Sequence, residues 1–115
     1  MIDPKIWDKI SEFEDQLIAK GKTCAYDIEH YRREMSLAVF MEVAELVDSF
    51  QWKTWKEGNA VDKENATREI VDIQFFLHHV ARSLGITVGD INKMFDKVLA
   101  NDIHRHINGG DDQFG

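Results

Sequence analysis

The segment Glu69-Ile70-Val71-Asp72-Ile73-Gln74-Phe75-Phe76-Leu77-His78-His79-Val80-Ala81 constrains this chain more than any other. Its apolar residues fall on nearly every side of a helix, so such a helix has no clear wet face in its middle and belongs at the centre of a bundle. Yet Glu69 and Asp72 stand three residues apart within it, a spacing that puts both on one helical face about a turn apart. An unpaired ionised carboxylate in such surroundings is strongly penalised. The preceding helix repeats the pattern, with Glu42 and Glu45 inside Met41-Glu42-Val43-Ala44-Glu45-Leu46. The four acids are expected to face each other, and either basic residues neutralise them or a cation does. Arg68 and Arg82 are the nearest basic residues on the third helix, so an internal salt-bridge network stands beside the cation reading.

The rest of the chain reads as three more helices. Asp3-Pro4 is a helix start, with Asp3 as N-cap and Pro4 at the first helical position. Ile6, Trp7, Ile10, Phe13, Leu17 and Ile18 follow at helical spacing until Gly21 stops the helix. The second helix begins near Asp27 and is expected to end near Trp52, before a loop closed by Gly58-Asn59. The third runs from Asp62 to about Leu84, before Gly85. Thr87 and Asp90 form a capping box for the fourth, which carries Ile91, Met94, Phe95, Val98 and Leu99. No strand alternation and no internal repeat interrupt this, so the expected class is all-α: a four-helix-bundle-type protomer over residues 1–107, with a flexible tail over 108–115. Helices one, two and four can cover only part of so apolar a third helix. A homo-oligomer is expected, a homodimer first and a tetramer second.

Composition limits the partners. The 115 residues have a formal net charge of -7, which argues against binding a nucleic-acid polymer, because Lys and Arg drive that binding by neutralising phosphates. A phosphate bound here is most simply bridged by a metal cation. The single Cys24 cannot form an internal disulfide and reads as a small hydrophobe, compatible with a reducing compartment. There is no apolar run near the roughly 20 residues of a membrane span and no secretory character at Met1-Ile2-Asp3-Pro4, so a cytoplasmic protein is expected.

Hard carboxylate oxygens without Cys or His suit Mg²⁺, with Mn²⁺ possible, and Mg²⁺ commonly takes substrate phosphate oxygens as further ligands. A di-iron site would instead want Glu-x-x-His pairs, and the third residues after Glu42 and Glu69 are Glu45 and Asp72. Downstream, Trp52-Lys53-Thr54-Trp55-Lys56 offers rings to stack on a base and ammonium groups for phosphates. The same rings could equally plug the end of the bundle. On the fourth helix, Lys97 and Asn101 share a face, either toward the same cleft or toward solvent.

Glu42-x-x-Glu45, a loop and Glu69-x-x-Asp72 together resemble the ExxE and ExxD signature of the all-α nucleoside triphosphate pyrophosphohydrolases, the superfamily of MazG-type enzymes and dimeric dUTPases. The run from Ala38 to Lys56 is most similar to the dimeric dUTPase branch, in which a Glu-x-x-Glu-Leu helix leads into a Trp-Lys-Trp-Trp-Lys-like stretch. Phe95-x-Lys97-x-x-x-Asn101 is similar to the Tyr, Lys and Asn of that family's last helix, and Gln16 to a base-contacting Gln on its first. The resemblance implies Mg²⁺-dependent hydrolysis of dUTP to dUMP and pyrophosphate. Glu42, Glu45, Glu69 and Asp72 would be the catalytic and metal-holding residues, with Glu45 favoured as base. Lys53, Lys56 and Lys97 would offset phosphate charge, while Trp52, Trp55, Asn101 and Gln16 would position base or sugar. The alternatives are a related enzyme for dCTP or a purine triphosphate, and a non-catalytic nucleotide-binding helical dimer.

Overall fold

The computed structural model describes residues 2–50 and 61–114. It contains four helices, α1 (Pro4–Ala19), α2 (Ile28–Asp48), α3 (Lys63–Ser83) and α4 (Val88–His106). Their starts are built as the side chains dictate. Asp3, Asp27, Asp62 and Thr87 each accept a backbone N–H of the first turn, and Thr87 and Asp90 complete a reciprocal capping box. Helices α1 and α3 stop at glycines with positive φ, Gly21 and Gly85. In both, the N–H after the glycine returns to the carbonyl five residues back, Lys22 to Leu17 and Ile86 to Ala81, a closure that needs the left-handed conformation glycine adopts without penalty.

Helix α2 ends at Asp48, earlier than the expected point near Trp52. The Ser49 carbonyl is taken by the N–H of Asp62 at 2.9 Å, and the Ser49 hydroxyl accepts from the Asn65 amide at 2.6 Å. These bonds stitch the end of α2 to the start of α3.

Helices α2 and α3 form the main packed pair, and α1 packs on α3. The α2–α3 register is antiparallel: Ser49 meets Asn65 at one end, and the Arg32 guanidinium donates to the Ser83 carbonyl at the other. Helix α4 is tied at its beginning, where the Asn92 side chain accepts from the Ile2 N–H at 2.8 Å and donates to the Ile2 carbonyl at 2.9 Å. Residues 111–114 turn back onto α4. Asn101 donates to Asp112 at 3.1 Å and accepts from the Gln113 N–H at 2.7 Å.

The packed seam is polar. Among the described residues, the buried apolar ones are Trp7, Tyr31 and Ala81, whereas Leu37, Phe40 and Met41 on α2, Ile70 and Leu77 on α3, and Leu99 on α4 are exposed. Helix α3 thus buries Glu69, His78 and His79 beside Ala81, and leaves Ile70, Val71 and Leu77 exposed on the protomer. No helix among the described residues is long and apolar enough to cross a membrane.

Candidate active site

Three of the four expected acids meet on the α2–α3 seam. Carboxylate oxygens of Glu42, Glu69 and Asp72 lie within 4.8 Å of one another. Helical spacing puts Glu69 and Asp72 on one face of α3, and the antiparallel register carries Glu42 of α2 to them. Glu69 is buried and the other two are half-buried. One oxygen each of Glu42 and Glu69 is shut off from solvent without a hydrogen-bond partner.

The electrostatics are those of crowded anions. Proton sharing with Glu69, then burial, then the negative charges of Glu69, Glu45 and Asp72 push the Glu42 carboxyl up to about 7. Glu45 is exposed one turn further along α2, outside the trio but near enough for its charge to act on Glu42. Among the described residues no Lys or Arg pairs with these acids. Arg82 is committed elsewhere, and Arg68 is exposed beside Lys63, Glu64 and Thr67. The internal salt-bridge alternative therefore finds no partner there.

The remaining expected residues are more dispersed. Asn101 is buried and holds residues 112 and 113, and with Lys97, Ala100 and Phe114 it lines a shallow pocket of about 460 Å³. Gln16 is exposed on α1. Trp52, Lys53, Trp55 and Lys56 lie outside the described residues.

A second polar cluster has no counterpart in the sequence reading. Glu14 on α1 is buried and accepts from the Tyr31 hydroxyl of α2 and the Arg82 guanidinium of α3, while His79 Nδ1 stands 3.1 Å from its Oε2. Arg82 also reaches Asp15 at 3.1 Å. Burial alone would push Glu14 up, but the contacts from His79, Tyr31 and Arg82 outweigh it and hold the carboxyl down at about 2. Ser11 Oγ lies 2.9 Å from His78 Nε2, and burial lowers His78 below the usual imidazole range. Glu14 thus joins three helices through one satisfied carboxylate, a structural role. The signal available in sequence was weak: Glu14 lies between Phe13 and Leu17 on the stripe that buries Trp7. Cys24, expected as a small hydrophobe, instead donates to Glu34 Oε2 at 2.9 Å.

A family model described as dUTPase matches residues 5–108. No curated protein and no solved structure matches the chain.

Proposed function

The chain belongs to the dUTPase family, enzymes that hydrolyse a nucleoside triphosphate to the monophosphate and pyrophosphate, and we propose that Glu42, Glu69 and Asp72 mark the place where it acts on dUTP. The observation that carries this reading is the trio itself: three carboxylates drawn together across a helix seam, two with oxygens that no donor reaches. Hard oxygen ligands with uncompensated charge suit Mg²⁺, or Mn²⁺ in its place.

Glu42, Glu69 and Asp72 would hold the ion. A Mg²⁺ ion held there would offset charge on the triphosphate and make water a better nucleophile near neutral pH. The protein's own part is positional and acid–base. The α2–α3 seam fixes the carboxylates before substrate arrives, because Ser49–Asn65 and Arg32–Ser83 lock the register on either side of them. Glu45 stands beside the trio, and we assign its carboxylate to receive the proton of the attacking water. Lys53, Lys56 and Lys97 would offset phosphate charge, with Trp52, Trp55, Asn101 and Gln16 positioning base and sugar.

We further infer that the working form is a homodimer. The protomer's radius of gyration is 17.6 Å, against about 13 Å for a compact chain of this length. Its accessible surface is 8619 Å², about 2,000 Å² more than a compact monomer of this size exposes. That excess matches a protomer's share of a large obligate interface.

The test is a panel of deoxynucleoside triphosphates incubated with the protein and Mg²⁺, with products resolved. Release of pyrophosphate and dUMP, fastest for dUTP, is expected. Absence of pyrophosphate from every substrate overturns the assignment, and preference for another base overturns the choice of uracil.

A further inference from the structure

A different set of metal-binding side chains meets where α1 hands over to α2. Cys24 Sγ, His30 Nε2 and a Glu34 carboxylate oxygen lie within 4.8 Å of one another. Sγ is 2.9 Å from Glu34 Oε2, and His30 Nε2 is 3.3 Å from the same oxygen. His30 and Glu34 are one turn apart on α2, so they share a face. The backbone carrying Cys24 is pinned over that face. Its carbonyl accepts from the Asp27 N–H at 3.0 Å, the Asp27 carboxylate accepts from the His30 N–H at 3.2 Å, and Thr23 Oγ1 accepts from the Ala25 N–H at 3.1 Å.

We propose that Cys24, His30 and Glu34 form a zinc site separate from the acidic trio. The donor set distinguishes the two sites: thiolate and imidazole select zinc over magnesium, whereas the all-carboxylate trio offers only hard oxygens, which magnesium accepts. The geometry is close to what the ion requires. With Zn–S of about 2.3 Å and Zn–N and Zn–O of about 2.0–2.2 Å, the donors around a tetrahedral zinc stand roughly 3.4–3.6 Å apart. The His30–Glu34 pair, at 3.3 Å, is within about 0.1 Å of that separation, and the thiol has to draw back from Glu34 by about 0.7 Å. On binding, the Cys24 proton leaves to solvent, a sulfur–zinc bond replaces the hydrogen bond to Glu34, and water fills the fourth position. The ion then clips the α1–α2 connection to the first two turns of α2.

The chain's single cysteine makes the site spectroscopically unambiguous. Titration of the full-length protein with Co²⁺ is expected to produce a thiolate-to-cobalt charge-transfer absorption, bleached by one equivalent of Zn²⁺ and unaffected by excess Mg²⁺. Cys24→Ser abolishes it and Glu69→Gln leaves it intact. His30→Ala and Glu34→Gln weaken cobalt binding by at least the roughly 10- to 100-fold that loss of an outer-sphere partner costs. Cobalt binding without a charge-transfer band overturns the proposal, as does a band that survives both His30→Ala and Glu34→Gln. If Cys24→Ser loses helix content by circular dichroism, the two substitutions at exposed positions carry the test.

Discussion

Glu42 on α2 and Glu69 on α3 meet across the helix seam close enough to share a proton, and each keeps one oxygen sealed from solvent without a donor. Repulsion of this kind opposes folding of the metal-free protein, and at the proposed metal site the same crowding would concentrate charge for a cation. Glu69→Gln is therefore expected to lower turnover by at least about 10²-fold while stabilising the metal-free protein. Solvent screening at the half-exposed Glu42 keeps that gain to about 1 kcal/mol. Steady-state kinetics and urea titration without metal check the two halves. A destabilised Glu69→Gln protein would mean that these acids hold the fold together.

Metal binding should depend on pH with a definite sign. The Glu42 carboxyl is raised to about 7, so a proton competes with the cation below that value. Apparent Mg²⁺ affinity, followed by calorimetry or by the metal-induced rise in Tm, is expected to strengthen from pH 6 to pH 8 and then level off. EDTA should abolish activity, added Mg²⁺ should restore it, and Asp72→Asn should lose the metal-induced Tm shift.

The Glu14 hub predicts acid sensitivity. Its folded pKa of about 2 lies below the ordinary value of 4.5. On lowering the pH, the unfolded chain takes up this proton first. The stabilisation is therefore complete above about 4.5 and is lost as the pH falls toward 2, to an extent of roughly 3 kcal/mol. Urea midpoints measured between pH 5 and pH 2.5 at fixed protein concentration should fall more steeply for the wild type than for Glu14→Gln. Glu14→Gln should itself be less stable at pH 7, because it leaves Arg82 partly unpaired.

The exposed apolar face of α2 predicts the assembly. Phe40 is 73 % exposed in the protomer, and a charge placed there would have to be buried in a dimer interface. Phe40→Glu is expected to shift sedimentation from dimer to monomer and to lower Tm. An unchanged sedimentation coefficient would place the interface elsewhere.

Asn101 predicts a local effect. With its amide gone, Asp112 loses its donor from the Asn101 side chain of α4 and the Gln113 N–H loses its acceptor, and residues 111–114 of Asn101→Ala should be cleaved faster in limited proteolysis. Lys97→Ala, which leaves that clasp alone, is expected to raise KM for the triphosphate without loosening the tail.

Helix count, caps and stops were legible in the chain because each depends on residues a few positions apart: Asp3-Pro4, Thr87 with Asp90, Gly21 and Gly85 report local backbone needs. The acidic pairs were legible for the same reason, since three-residue spacing fixes a helical face whatever the helix packs against. Which acids actually meet was not. Glu42, Glu69 and Asp72 converge while Glu45 stays outside, and that follows from the α2–α3 register set by Ser49 on Asn65 and Arg32 on Ser83. The Glu14–Tyr31–His79–Arg82 hub was equally hidden, because its members come from three helices and no spacing within one of them announces the others. The sequence by itself determined four helices and the pairing of acids on the faces of α2 and α3. Only the tertiary structure decided that Glu69, His78 and His79 fill the inward face of α3 while Ile70, Val71 and Leu77 stay exposed, because side-chain periodicity defines the faces of a helix but packing between helices chooses which one is buried.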